Sequence, residues 1–134
     1  MPKRPTDLWR EHIAEEAAAV AAGTLDPECA YSAALFPASL LTVTDDVLAA
    51  FEADVAALGA GPADNDVLGV VERVVLELNR VHEAHDEAAY ETDERELLCA
   101  YIDDSLVAAG VDVVAFAERQ GLGRHEITDR WRDW

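Results

Sequence analysis

Beginning at Val67, apolar residues return at alternating intervals of four and three, through Val71, Val74, Leu78 and Val81 to His85. An α-helix, at about 3.6 residues per turn, keeps such a set on one face. A strand would scatter it over both faces, because its side chains alternate with period two. Arg73, Glu77 and Arg80 occupy the opposite side as a ladder of charges at helical spacing. The stretch from 67 to 85 is therefore predicted to be the longest helix of the chain. Its apolar stripe needs other elements to cover it.

The punctuation elsewhere is helical too. Thr6 or Asp7 can cap a first helix carrying Trp9, Ile13, Ala17 and Val20, stopped by Gly23. Asp26, Pro27 and Glu28 supply an N-cap, a proline suited to the first helical position and an acid facing the dipole. They predict a second helix ending near Phe36, since Pro37 forbids continuation, with residues 37–43 then irregular. Thr44, with Asp45 and Asp46, opens a third helix that turns Leu48, Phe51, Val55 and Leu58 inward and stops at Gly59. Residues 59–66 form the clearest loop. Beyond the long helix, Thr92 or Asp93 caps a fifth with Leu98, Ile102, Leu106 and Ala109 inward and Gly110 closing it. Asp112 starts a short helix ending at Gly121, and Ile127, Trp131 and Trp134 share one face of a last one. No strand pattern, repeat or low-complexity segment interrupts this series. The expected fold is all-α, a compact bundle of six to seven helices forming a single domain over residues 1–134.

A chain of 134 residues, 51% of them apolar, is large enough to bury one sizeable core. Its net charge of −18 is unevenly spread. Residues 45–104 hold seventeen carboxylates against Arg73, Arg80 and Arg95, a net of −14, whereas residues 118–134 balance four acids with four arginines. A field of that sign disfavours nucleic acids and anionic membranes and favours basic proteins or cations. It also serves solubility, a use that needs no partner. Cys29 and Cys99 form neither a close-spaced metal pair nor a disulfide framework. Cys99, beside Leu98, Ala100 and Ile102, reads as a reduced, buried thiol. The N-terminal MPKRPTDLW carries no apolar signal core, and the longest uncharged stretch, Cys29 to Thr44, is broken by Pro37 and too short to span a bilayer. These features lead us to expect a cytoplasmic protein without a cofactor, a nucleic-acid partner or a membrane partner.

Residues 80–104 concentrate nine carboxylates and two histidines in twenty-five positions. Three uses compete for them. The first is an acidic surface for a basic partner, built from Glu83, Asp86, Glu87, Glu91, Asp93 and Glu94. The second is a metal site: Asn79, His82 and Asp86 share one side of a helix, and His82 with Asp86 has the i, i+4 spacing that grips a cation. It needs a further ligand, for which Glu91, Asp93, Glu94 or His12 are the candidates. The third is the solvated side of ordinary helices. The Glu-x-x-His pair of di-iron bundles is absent, because Trp9, Asn79, His82 and Leu122 precede the four histidines by three. A calcium loop at residues 64–75 fails at Leu68 and Val75. The pairs Glu83/Asp86 and Glu91/Glu94 resemble the acid pairs that hold magnesium in all-α nucleotide pyrophosphohydrolases, which must lie on two facing helices. No Gly-rich phosphate loop, Gly-x-Ser-x-Gly turn or Cys/His nucleophile pair occurs, and no residue stands out as catalytic.

The closing tryptophans suit either a final helix docked on the core or a stripe offered to a partner, with Arg130 and Arg132 outward. Residues 74–134, with LELNRVHEAHDEAAYETDERELLCAYID followed by EITDRWRDW, resemble a group of small uncharacterised bacterial helical proteins. The shared features are an Asn-bearing helix, an E-T-D-x-R-E cap at 91–96 and a W-R-x-W ending at 131–134. The resemblance implies a helical fold and brings no activity, cofactor or catalytic residue. By analogy, small acidic proteins of this look include toxin-neutralising immunity proteins. The leading expectation is a non-enzymatic binding or inhibitory protein, immunity-like, that meets a basic protein through its acidic helices. The alternatives are a metal-dependent enzyme using Asn79, His82, Asp86 and Glu91 or Glu94, and a structural protein with no ligand.

Overall fold

A computed structural model describes residues 2–134, all of whose regular structure is helical. The elements are α1 (Pro5–Ala21), α2 (the single turn Ser32–Leu35), α3 (Ala38–Ala57), α4 (Asp64–Ala84), α5 (Thr92–Ala108) and α6 (Val113–Arg119). Two 3-10 turns, Pro27–Cys29 and Arg124–Glu126, complete them. Five helices longer than one turn carry the fold, fewer than the six to seven expected. Both losses have a physical cause.

The first loss lies before Pro37. Asp26 does cap, accepting the Glu28 N–H at 2.9 Å, but the turn it starts ends at Cys29. Ala30 then leaves helical geometry at φ −92°, ψ 84°, and only one α-turn fits before the proline. The residues expected to be irregular become the opening of α3, which starts at Ala38 rather than Thr44. Pro37 is both stop and start: its φ of −57° with ψ of 148° turns the chain into a helix without a side-chain cap. Burial then favours the early start, because Leu40, Leu41 and Thr44 extend the inward stripe of Leu48, Phe51 and Val55. Thr44, expected as a cap, is buried instead and shares a 2.6 Å hydrogen bond with the Tyr90 hydroxyl.

The second loss is at the C-terminus. Ile127 and Trp134 are buried as expected, but no helix joins them. The Asn79 side chain donates to the Trp131 carbonyl at 2.7 Å and accepts the Asp133 N–H at 3.0 Å. Those backbone groups, held from outside, do not form helical bonds along the chain.

The long α4 buries the predicted Val67, Val71, Val74, Leu78 and Val81, and also Val70 and Val75. Its broadest contact is with α3, while α1 and α5 close the bundle. The stretch Pro27–Ala57 is long and apolar enough, by length and composition alone, to cross a membrane. Its α3 part turns Leu40, Leu48, Phe51 and Val55 into the core. A chain of rings runs through that core. Trp9 stacks on Phe36 with centroids 5.1 Å apart, and Tyr90 lies against Trp9, His82 and Trp134. Gly23, Gly59, Gly110 and Gly121, the four expected stops, all adopt positive φ.

Candidate functional site

A part-buried polar network sets how α1 lies across α3 and α5. Arg4 forms a two-pronged pair with Glu52 at 2.8 and 2.7 Å, and the Tyr101 hydroxyl donates to the same carboxylate. Two helical turns away along α3, Asp45 accepts from Thr6 and from Arg10 at 2.6 Å. The Arg4 hydrogen bond holds the Glu52 carboxyl below the usual range against the opposing effect of burial, with Tyr101 assisting. Burial pushes Asp45 upward, but hydrogen bonds from Arg10 and Thr6 and the charges of Arg10 and Arg4 leave it net lowered. Burial first, and the neighbouring Glu52 second, push the Tyr101 hydroxyl well above its ordinary value. With α1 pinned at this end, its middle, from His12 to Glu16, runs past the start of α5.

Of the six residues of the expected acidic surface, five are exposed around the turn between α4 and α5 and one is buried. Glu83, Asp86 and Glu87 sit exposed at the end of α4 and in the turn beyond it. Asp86 and Glu87 both take left-handed backbone, at φ 59° and 58°, so that the chain reverses without a glycine. Glu91 and Asp93 are exposed at the start of α5, and Glu94, one residue on, is buried with 8% of its surface left. None of the six enters any ion pair among the described residues. Eight of the ten lysines and arginines are engaged in the ten pairs formed elsewhere.

The residues weighed as metal ligands are not brought together. Asn79 is occupied at both ends of its amide by the C-terminal backbone. His82 is buried and stacked on Tyr90 at 6.2 Å, while Asp86 and Glu91 face solvent. Among the described residues no three His, Cys, Asp or Glu side chains converge as metal ligands. The intended i, i+4 pair fails because α4 ends at Ala84 and Asp86 lies beyond its last turn. The helix spacing that the metal reading assumed is therefore lost.

What the fold does assemble is a cleft of about 360 Å³ between α1, α2 and the start of α5. Its apolar side is made by Trp9, Tyr31, Leu35 and Phe36. Its polar side consists of His12, Glu15, Glu16, Asp93 and Glu94. Glu16 accepts the Ser32 N–H at 2.8 Å, which fixes the α2 turn against α1. No lysine or arginine lines the cleft. Asp93 and Glu94 were legible in the sequence as acids of a helix start, where the dipole favours them. Glu15, Glu16 and Tyr31 were not singled out, because nothing local ties residues 12–36 to residues 93–97.

A second cleft, between α5 and the C-terminal turns, is lined by Glu96, Cys99, Asp103, His125 and Thr128 among others. Burial raises the Cys99 thiol above its ordinary value, with the Thr128 hydroxyl donating to it at 3.4 Å as a weaker opposing effect. A thiol held protonated in this way is not an activated nucleophile. Asp103 is joined by Arg124 at 3.1 Å, which ties the turn down rather than orienting an imidazole. Compared with protein-family models, with curated proteins and with solved structures, the chain matches none.

Proposed function

We propose that this is a non-enzymatic binding protein of the cytoplasm that engages a basic protein partner through the acidic end of the bundle, in the manner of an inhibitory or immunity protein. One observation carries the reading. Among the described residues Glu83, Asp86, Glu87, Glu91, Asp93 and Glu94 enter no ion pair, although eight basic side chains are paired with other acids. A surface needed only for solubility mixes both signs, whereas unpaired charge of one sign gathered at one end steers and orients a cationic surface. The two turn residues, Asp86 and Glu87, are exposed where the chain reverses after α4 and make the first encounter.

The test is capture of partners from the native cytoplasm at low and high salt, with the intact protein and with a variant carrying E83Q, D86N, E87Q, E91Q and D93N. We expect a basic protein retained by the intact chain at low salt, released at high salt and lost to the variant. Failure of the intact chain to hold any basic protein at low salt would remove the reading.

A further inference from the structure

We propose that the cleft between α1 and α5 is a receptor for one arginine side chain, presented by the basic partner. The inference deepens the binding reading above and gives it a centre.

Glu94 is the residue that requires it. It keeps 8% of its surface, yet no hydrogen bond or ion pair among the described residues reaches its carboxylate, and its open side is the cleft. Its oxygens keep contact with the cleft, and a carboxylate with so little open surface gains from a cation or several donors beside it. Glu15 and Asp93 line the same space and have no side-chain hydrogen bond among the described residues, while Glu16 retains accepting capacity beyond its bond to Ser32. The cleft therefore offers carboxylate acceptors from two helices, with no lysine or arginine and with His12 as the one group on its lining that can carry positive charge.

The form of the cation follows from the rest of the lining. These carboxylates do not converge on a point, so a compact metal ion is not matched. A guanidinium spreads its charge over a planar fork of five N–H donors and can meet acceptors on two sides at once. Tyr31, 62% exposed at the rim, offers a ring face on which such a plane stacks, and Leu35 beside it offers an apolar surface for an aliphatic stem. The volume of about 360 Å³ lies at the small end of ligand sites, roughly 300–1,000 Å³, which suits one side chain rather than a large ligand.

The test is a titration of the isotope-labelled, full-length protein followed by amide chemical shifts. The probes are the peptide acetyl-Gly-Arg-Gly-amide, its citrulline and lysine counterparts, and free methylguanidine. We expect the arginine peptide to shift residues 12–16, 31–36 and 93–97 saturably. The lysine peptide should bind more weakly, and citrulline, equal in shape but neutral, should not bind. E94Q should weaken the arginine peptide by roughly tenfold, the usual loss for a hydrogen bond to a charged group. E72Q with E118Q, outside the cleft, should leave it unchanged. Should E94Q not fold, the doubly substituted E15Q, Y31A, altered only at exposed positions, decides in its place with a several-fold loss. Equal binding of citrulline, an effect of E94Q or of that double variant below about twofold, or shifts confined to residues 83–87 would overturn the proposal. Methylguanidine binding as tightly as the peptide would overturn the assignment to a presented side chain. A basic partner captured undiminished by E94Q would sink the cleft while leaving the binding reading intact. An arginine peptide held in the cleft with no basic protein retained at low salt would do the reverse.

Discussion

The side-chain oxygen of Asn79 accepts the backbone N–H of Asp133 at 3.0 Å, fifty-four residues along the chain. The amide nitrogen of the same residue donates to the Trp131 carbonyl at 2.7 Å, so one side chain holds both sides of the last turn. Trp134 is thereby seated against Tyr90, with ring centroids 5.7 Å apart. Replacing Asn79 by Ala leaves the part-buried Trp131 carbonyl and Asp133 N–H without these partners. We expect a loss of about 1–3 kcal/mol in urea unfolding. N79D should lose the donor to Trp131 and set a carboxylate beside Asp133, and so do no better. Hydrogen exchange localises the effect: the amide of residue 133 should lose protection before those of α4.

The Arg4, Glu52, Tyr101 cluster governs the acid limb of stability. The Glu52 carboxyl lies below its ordinary value in the folded protein, chiefly through Arg4, so the folded state favours the charged form more than the unfolded chain does. The stabilisation is full above the unfolded carboxyl range, near pH 4.3, and falls away as pH drops through the lower folded value. E52Q should therefore cost about 1–3 kcal/mol at neutral pH. The gap between E52Q and the unaltered chain should close on the acid side of that range. Urea midpoints measured at successive pH values check it, and a gap independent of pH would contradict the assignment.

The turn after α4 stores backbone strain. Glu87, at φ 58°, has no short polar side chain to favour left-handed geometry, unlike Asp86 at φ 59°. E87G relieves a penalty of about 1–2 kcal/mol and loses about 0.5–1 kcal/mol to the freedom of glycine in the unfolded chain. We expect a net gain of a few tenths to about 1 kcal/mol, seen as a higher urea midpoint at unchanged slope. E87A, which keeps the Cβ, should give none of it.

Crowded like charge makes the fold sensitive to salt. The net charge is −18, and the seventeen carboxylates of residues 45–104 repel one another in the compact state. That repulsion is screened over about 10 Å at 0.1 M salt. The melting midpoint should rise when sodium chloride goes from low to moderate concentration. Zinc, manganese and magnesium at matched ionic strength should add little further, because no three ligands converge among the described residues. A saturable gain at micromolar metal, abolished by chelator, would reinstate His82 and Asp86.

Residues near in sequence determined the helices. The α4 stripe from Val67 to Val81, the inward Leu98, Ile102 and Leu106 of α5, and the stops at Gly23, Gly59, Gly110 and Gly121 follow from periodicity and local backbone preference. Those signals act within a turn or two, so a single sequence displays them. The imbalance of charge was legible for the same reason.

Only the tertiary structure decided which polar group met which. Thr44 reads locally as a cap, but burial of Leu40 and Leu41 carried α3 back to Pro37 and left its hydroxyl to Tyr90. Asn79 looks like a ligand beside His82 until the C-terminus, which no local rule places, takes both ends of its amide. Glu94 is one acid among many in the sequence, and it is distinguished only by α1 and the Tyr31 turn closing over it. Such pairings join residues tens of positions apart. They are chosen by how the finished helices pack, because the penalty for an unmatched buried polar group arises only after water has been excluded.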